Sequence, residues 1–450
     1  MKKASQPLQM VRGGDRFLNV QSIKTDMTIL PATRPPVCKS AARGAPPAGT
    51  LAPDLNAGGI CKTGSNCSPL GTNAKYVANP MATRIQRFAV QSVARSILPD
   101  SRTAKCLRIR AYNSNVEIWK SCEFGTAQYA GLQTCGSVWA CPVCAAKIAE
   151  RRRVEVLAAM TAHKAAGGCV NLLTLTTPHQ RKDNLADLLA MQSKAIKALW
   201  ADRSAKAVFA EMGLVGQIRA LEVTHGRKSP HNNGWHPHYH VLQFGGVGVD
   251  LARFDGPQMK DWSVRLYLRW AVCCVKAGLG EPSFKHGLKL HDGSKAAAYA
   301  AKWGLEDEMT KGHTKKALHG ETPFDFLRAY LLDSEDKQAA ALFKEFAETF
   351  KGKRQLHWSK GLKARFAIEE TTDDELSTRI EERAILLGTL TVEQWRDVLN
   401  IDGRGALLDV AARAGWQAVQ RYLDVIKDVP RRFFSKLEID EITDLVIGVS

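Results

Sequence analysis

Apolar and polar positions fall into three regimes along the 450-residue chain. Residues 1–100 carry no sustained period, and the stretches 31–36 and 45–53 are rich in Pro, Ala and Gly, which predicts a poorly ordered arm. From residue 104 the pattern sharpens. Leu107, Ile109 and Ala111 alternate with Arg108 and Arg110, a strand-like period of two. Residues 142–164 have a helical period that stops at Gly167 and Gly168. The short β-branched run 170–176 reads as a buried strand and 185–199 as a helix. Residues 217–224 and 236–244 read as two strands joined by a polar loop. A helix over 262–275, a strand over 287–291 and a helix over 294–303 complete this part. The succession predicts an α+β fold, a sheet with helices packed on it. Beyond Gly304 only helices are expected, over 329–350, 373–387, 392–399 and 407–427. Thr372 with Glu375, and Thr391 with Gln394, have capping-box spacing. The predicted organisation is a basic arm (1–100), a cysteine-rich module with a basic helix (101–166), a sheet domain (167–310), a helical connector (311–360) and an acidic all-helical tail (361–450).

Charge sharpens this division. Lys and Arg total 63 against 45 Asp and Glu, a net charge of +18. Residues 1–100 carry 13 basic and 4 acidic side chains, whereas 361–450 carry 12 and 17. The middle therefore holds +14, a field that favours a polyanion such as nucleic acid. No apolar run is long enough for a membrane span, so no membrane partner is expected. Lys2 and Lys3 precede no apolar stretch, so no secretory leader is read and a cytoplasmic location is expected. In that setting the 11 cysteines are reduced thiols, and clustered ones are metal-ligand candidates. The oligomeric state is not legible.

Cys135, Cys141 and Cys144 form a C-x5-C-x2-C. Two thiolates two residues apart converge on one ion, and Pro142 stiffens the turn. A closed structural Zn²⁺ site takes four ligands. The fourth is Cys122 or Cys106, and the shorter loop favours Cys122. The helix that follows is expected to expose Lys147, Arg151, Arg152 and Arg153 to DNA.

His236, His238 and His240 alternate on a predicted strand, so all three share a face. Neighbours two residues apart, about 6.6 Å along a strand, can tilt onto one ion; the outer pair cannot. The pair is His236/His238 or His238/His240. Folding the loop back brings Glu222 beside them, and two imidazoles with a carboxylate suit catalytic Mg²⁺ or Mn²⁺. Lys295, Tyr299 and Lys302 lie at i, i+4 and i+7 of the next helix and form one face. Two cations beside a phenol favour its phenolate and attract a phosphate.

Taken together, the segment Leu173-Thr-Leu-Thr-Thr-Pro, then His236-Pro-His-Tyr-His-Val-Leu, then Tyr299-Ala-Ala-Lys302, resembles the three motifs of rolling-circle replication initiators, the plasmid Rep family of His-hydrophobic-His (HUH) endonucleases. The resemblance covers roughly residues 104–305 and includes the cysteine segment. It implies a small antiparallel sheet, ferredoxin-like in feel, flanked by helices. It also implies that His238 and His240 are the metal pair, Tyr299 the nicking nucleophile and Lys302 its assistant at the phosphate, with Thr174 and Thr176 as scaffold. Single-tyrosine members often carry Glu four residues before the tyrosine; here Lys295 stands there, so termination must differ. The implied partner is single-stranded origin DNA, with a host helicase or DNA polymerase as further candidates. A relaxase or transposase of the same chemistry, or a non-catalytic zinc-dependent DNA-binding regulator, is the alternative.

Overall fold

A computed structural model describes residues 80–248, 257–293, 320–380, 383–427 and 429, all within the unit Ala52–Ser450. Its described residues are α+β, with two small antiparallel sheets. The larger sheet is built from β3 (Cys169–Thr176), β4 (Gly216–His225), β5 (Trp235–Gly245), β6 (Leu288–Asp292) and β7 (Leu356–Trp358), in the order β6-β3-β5-β4-β7. The smaller is built from β1 (Val116–Ser121), β2 (Ala127–Ala130) and β8 (Ala384–Leu390), in the order β2-β1-β8.

The two faces of the larger sheet follow from its period of two. Leu173, Leu175, Val223, Trp235, Tyr239, Val241, Leu288 and Leu290 point to one side. There they pack on α4 (Leu185–Ala201), α5 (Arg203–Glu211), α6 (Pro257–Ala277), α7 (Pro323–Leu332) and α8 (Lys337–Thr349). On the opposite face Val170, Leu172, Ile218, Leu242 and Phe244 meet Val156, Ala159 and Met160 of α3 (Pro142–Ala165). Leu172, Leu242 and Phe244 are at most 5% exposed, and each such burial stabilises by about 1.5–3 kcal/mol. Farther along this second face the apolar run gives way to Thr174, Glu222, His238 and His240. The candidate metal site thus sits at the rim of a core.

The strands read at 170–176, 217–224, 236–244 and 287–291, and the helices at 142–164, 185–199, 262–275, 392–399 and 407–427, are present with boundaries shifted by a few residues. Both capping boxes form. Other expectations fail. Residues 104–111 make no strand: α2 (Arg102–Lys105) leads into turns, Leu107 has φ +50°, and only Arg110 bridges, to Leu132. The helix expected over 329–350 breaks into α7 and α8 at a turn around Asp333 and Asp336.

The tail is not all-helical. The helix expected over 373–387 stops early, as α10 (Asp373–Thr378), and β8 pairs with β1 instead. β7, followed by the short helix α9 (Leu362–Arg365), adds an edge to the larger sheet. Nor does the tail stand apart. α11 (Val392–Asn400) and α12 (Arg404–Ile426) bury Trp395, Val398, Leu407, Val419 and Tyr422 against Ile118 and Tyr129 of the cysteine-rich module. α12 is two helical segments meeting at Gly415, whose φ of +73° favours glycine. The arm also ends before residue 100, since α1 (Pro80–Ile97) is a helix that buries Phe88 and Val90.

Candidate functional site

Strand register assembles the site. Glu222 lies opposite His238 across β4 and β5, and Thr174 lies opposite His240 across β3 and β5. Glu222 Oε2 is 3.3 Å from His238 Nε2 and 3.1 Å from His240 Nε2. Donors bound at about 2.0–2.2 Å to one ion are separated by roughly 3 Å, so the three atoms fit a shared cation. His240 Nδ1 is 3.1 Å from Thr174 Oγ1, and His238 Nδ1 is 3.4 Å from the His236 carbonyl oxygen. With those nitrogens occupied, Nε2 of each ring is the one turned to Glu222. Burial acts to raise the Glu222 carboxyl, but hydrogen bonds from His238 and His240 and the charge on those rings outweigh it and hold it well below the carboxylate range.

His236 turns elsewhere. Its Nδ1 is 3.2 Å from His179 Nε2, and burial, aided by His238 and His179, pushes it down to about 3. Of the two pairs open in the sequence, the structure therefore brings His238 and His240 together with Glu222. The β4–β5 connection is pinned by Arg227, which binds Glu321 at 2.8 Å and Asp336 at 2.7 Å. Gln192 Nε2 donates to the Pro237 carbonyl at 2.9 Å, fixing β5 from the other face.

The second ligand group is Cys106, Cys135, Cys141 and Cys144. Sulfur separations of 3.4, 3.7 and 3.8 Å are far beyond a disulfide and close to the edge, about 3.8 Å, of a tetrahedral Zn–S₄ unit. Cys122, favoured on loop length, is exposed and its backbone N–H binds the Arg383 carbonyl, so the correction is to Cys106. Loop-closure entropy grows only logarithmically, and chain direction outweighs it here. Cys141 caps α3: its sulfur accepts from Cys144 N–H at 3.5 Å and from Gln91 Nε2 at 3.2 Å. Burial opposes a thiolate at Cys141, but hydrogen bonds from the other three thiols and the Cys144 N–H outweigh it and hold the thiol low. Arg404, fully buried, donates to Gln91 Oε1 at 2.5 Å and so ties the tail to the cysteine cluster.

The basic face of α3 differs from expectation. Arg152 binds Glu155 and Asp373 at 2.9 and 2.8 Å, Arg153 binds Glu150 at 2.5 Å, and Arg151 donates to the Arg379 carbonyl at 3.0 Å. All three are half-buried on protein acceptors rather than displayed. Lys147, also half-buried, lines a cavity. Tyr299, Lys302 and Lys295 lie outside the described residues.

Sequence reasoning missed two contributors. Thr174 was read as scaffold, yet the period of two already places it on the histidine face of the neighbouring strand. Gln91 gave no signal at all.

Comparison with known proteins bears on this geometry. A family model described as "Replication protein" matches residues 128–248, which include Cys135, Cys141, Cys144, Glu222, His238 and His240. The chain resembles the Rep family of plasmid replication proteins. "Protein rep" of Streptomyces lividans is 28% identical over 316 residues, 56% of this chain and 68% of that protein. A Streptomyces cyanogenus protein named "Neomycin resistance protein" is 32% identical over 155 residues, 29% of this chain and 35% of its own length. No solved structure gives a significant match. The match to the family model, residues 128–248, leaves Cys106 and Tyr299 outside it. Among the described residues no helix is long and apolar enough to cross a membrane.

Proposed function

We propose that the chain is a rolling-circle plasmid replication initiator that nicks single-stranded origin DNA through a covalent 5′-phosphotyrosine and later rejoins the strand. The observation that carries this reading is the Glu222, His238 and His240 group inside the region that resembles replication proteins. Two imidazoles and an ionised carboxylate with room for further ligands suit Mg²⁺ or Mn²⁺. Glu222, His238 and His240 would hold the cation, and it would supply charge neutralisation at the phosphate. The Tyr299 oxygen forms a bond to phosphorus as the bond to the 3′ oxygen breaks. The phenol proton passes to solvent, and the 3′ oxygen takes up a proton and leaves as a hydroxyl. Lys295 and Lys302, four residues before and three residues after Tyr299 in sequence, attract the phosphate. The new ester retains the phosphodiester energy, so a later 3′ hydroxyl can reverse the step. Cys106, Cys135, Cys141 and Cys144 would hold Zn²⁺ as a staple for the start of α3.

The test uses a labelled random-sequence single-stranded DNA pool with Mg²⁺ or Mn²⁺. A DNA–protein adduct that survives denaturation and maps to Tyr299 is expected. DNA that is bound but never covalently attached would overturn the reading.

A further inference from the structure

A hollow where α1, α2 and α11 meet has no part in the chemistry above. The last turn of α1 brings Arg95 to it, α2 brings Lys105 and α11 brings Arg396. Arg108, in the turns after α2, is a fourth cation of its lining, and Ile109 and Leu399 add apolar surface. The volume is about 460 Å³, and neither an acidic nor an aromatic side chain lines it. Arg108 is fixed: its Nη2 lies 2.9 Å from Asp402 Oδ1 and donates to Ser92 Oγ at 2.6 Å. The same Asp402 oxygen takes Arg404 at 3.0 Å, so one carboxylate serves two guanidiniums. Burial, with the charges of Arg404 and Arg95, pushes Arg108 down to about 10 against the pull of Asp402. Arg95 and Lys105 are exposed, and among the described residues neither makes an ion pair. Arg396 is exposed as well and acts on Glu393 of its own helix.

We infer that this hollow seats a backbone phosphate of duplex DNA on Arg95, Lys105 and Arg396. The inference rests on the proposed function in taking DNA as the polyanion, and it adds a contact separate from the Glu222, His238 and His240 group. Convergence carries it, rather than the number of cations. Three exposed cations reach one hollow from three separate helices, and a fourth is held at its edge. Like charges gathered in this way repel, and a phosphate placed among them relieves the repulsion. Asp402 is already shared between Arg108 and Arg404, so it leaves the other cations unmatched. Single strands are gripped by stacking their bases on aromatic rings. The hollow offers no such ring, which favours a duplex, whose bases are turned inward and whose phosphates face out. Such a contact positions the DNA without reading its sequence. The cysteine cluster sets the two helices that carry the first two cations. Lys105 directly precedes Cys106, and Gln91, one turn before Arg95 on α1, donates to the Cys106 carbonyl at 3.3 Å and to Cys141 Sγ at 3.2 Å.

The experiment measures binding of the full chain to a short random-sequence duplex and to a random single strand across a salt series. Arg95→Ala combined with Lys105→Ala is expected to weaken duplex binding on the order of tenfold and to lower the slope of log affinity against log salt by about 2. Single-strand binding is expected to stay within about twofold of the parent, with the melting temperature unchanged. Lys276→Ala, an exposed cation on α6, is expected to leave duplex binding as it is. The inference is overturned if the double variant keeps the parent's duplex affinity and slope, if the parent binds no duplex, or if Lys276→Ala weakens binding as much. ATP probes a free anion as the occupant: binding of ATP that is lost in the double variant and is not displaced by duplex would also overturn it. The covalent adduct with single-stranded DNA is read in the same samples. An adduct without the duplex effect removes the hollow and leaves the replication reading standing; the duplex effect without an adduct removes that reading and keeps the hollow.

Discussion

Glu222 and His238 face each other directly across β4 and β5, with Oε2 and Nε2 3.3 Å apart. Because register fixes the pair, the carboxylate meets the ring without any loop having to close. Glu222→Gln keeps the shape and removes the charge. It is expected to weaken Mn²⁺ binding at this site at least about tenfold, measured by electron paramagnetic resonance, with the fold retained in circular dichroism.

Tyr299→Phe removes the one oxygen that the proposed reaction joins to phosphorus. Nicking should fall by a factor on the order of 10³ or more, while single-stranded DNA binding stays within about twofold of the parent. Loss of both would mark the phenol as a folding element.

The two candidate fourth cysteines separate cleanly. Cys106→Ser should lower bound zinc, read by elemental analysis, and destabilise the chain by on the order of 3 kcal/mol. Cys122→Ser should leave zinc content unchanged and shift stability by less than about 0.5 kcal/mol. Equal effects would remove Cys106 from the site.

His225 gives a pH dependence. Burial pushes it down to about 4, with Arg227 and Arg181 acting the same way and Glu321 opposing. It packs edge-on to Trp235 and Phe326, and Arg227 N–H donates to its Nδ1. The unfolded chain binds a proton there near pH 6.5 and the folded chain does not. Stability from this group is therefore fully present above about pH 6.5 and is lost as pH falls toward 4, by up to about 3 kcal/mol. His225→Gln should flatten that part of the pH–stability curve in chemical denaturation; an unchanged slope would refute the assignment.

Much of this architecture was legible because its determinants are local. The alternation His236, His238, His240 against Trp235, Tyr239, Val241 set both the strand and its chemical face, and Pro142 after Cys141 set the start of α3. What was hidden depends on distant pairing. Residues 384–387 read as the end of a helix because Ile385, Leu386 and Leu387 have no alternation, yet β1 supplies a strand partner from more than 260 positions earlier in the chain. Cys106 was passed over for Cys122 because loop length says nothing about chain direction: β1 carries Cys122 away from the cluster, while α2 delivers Cys106 into it. Arg151 and Arg152 read as part of an exposed basic face because the Arg379 carbonyl and Asp373, their acceptors, lie more than 200 residues away, while Arg153 is held by Glu150 one turn earlier on the same helix.

Thr174 supplies the sharpest test of how the sheet tunes the site. Its Oγ1 is 3.1 Å from His240 Nδ1, on the side of the ring away from Glu222. A hydroxyl accepting from Nδ1–H fixes the tautomer that leaves Nε2 with a lone pair for a cation. Thr174→Val keeps the β-branched shape on this inner strand and removes the acceptor. Metal affinity should drop about 10- to 100-fold, and nicking should recover when Mn²⁺ is raised in proportion, because Thr174 touches neither DNA nor Tyr299 in the proposed step. Thr174→Ser restores the hydroxyl and should restore affinity at the original Mn²⁺ concentration. If Thr174→Val bound Mn²⁺ as tightly as the parent, the hydrogen bond would hold no influence over His240, and the tautomer would have to be set from the Glu222 side alone.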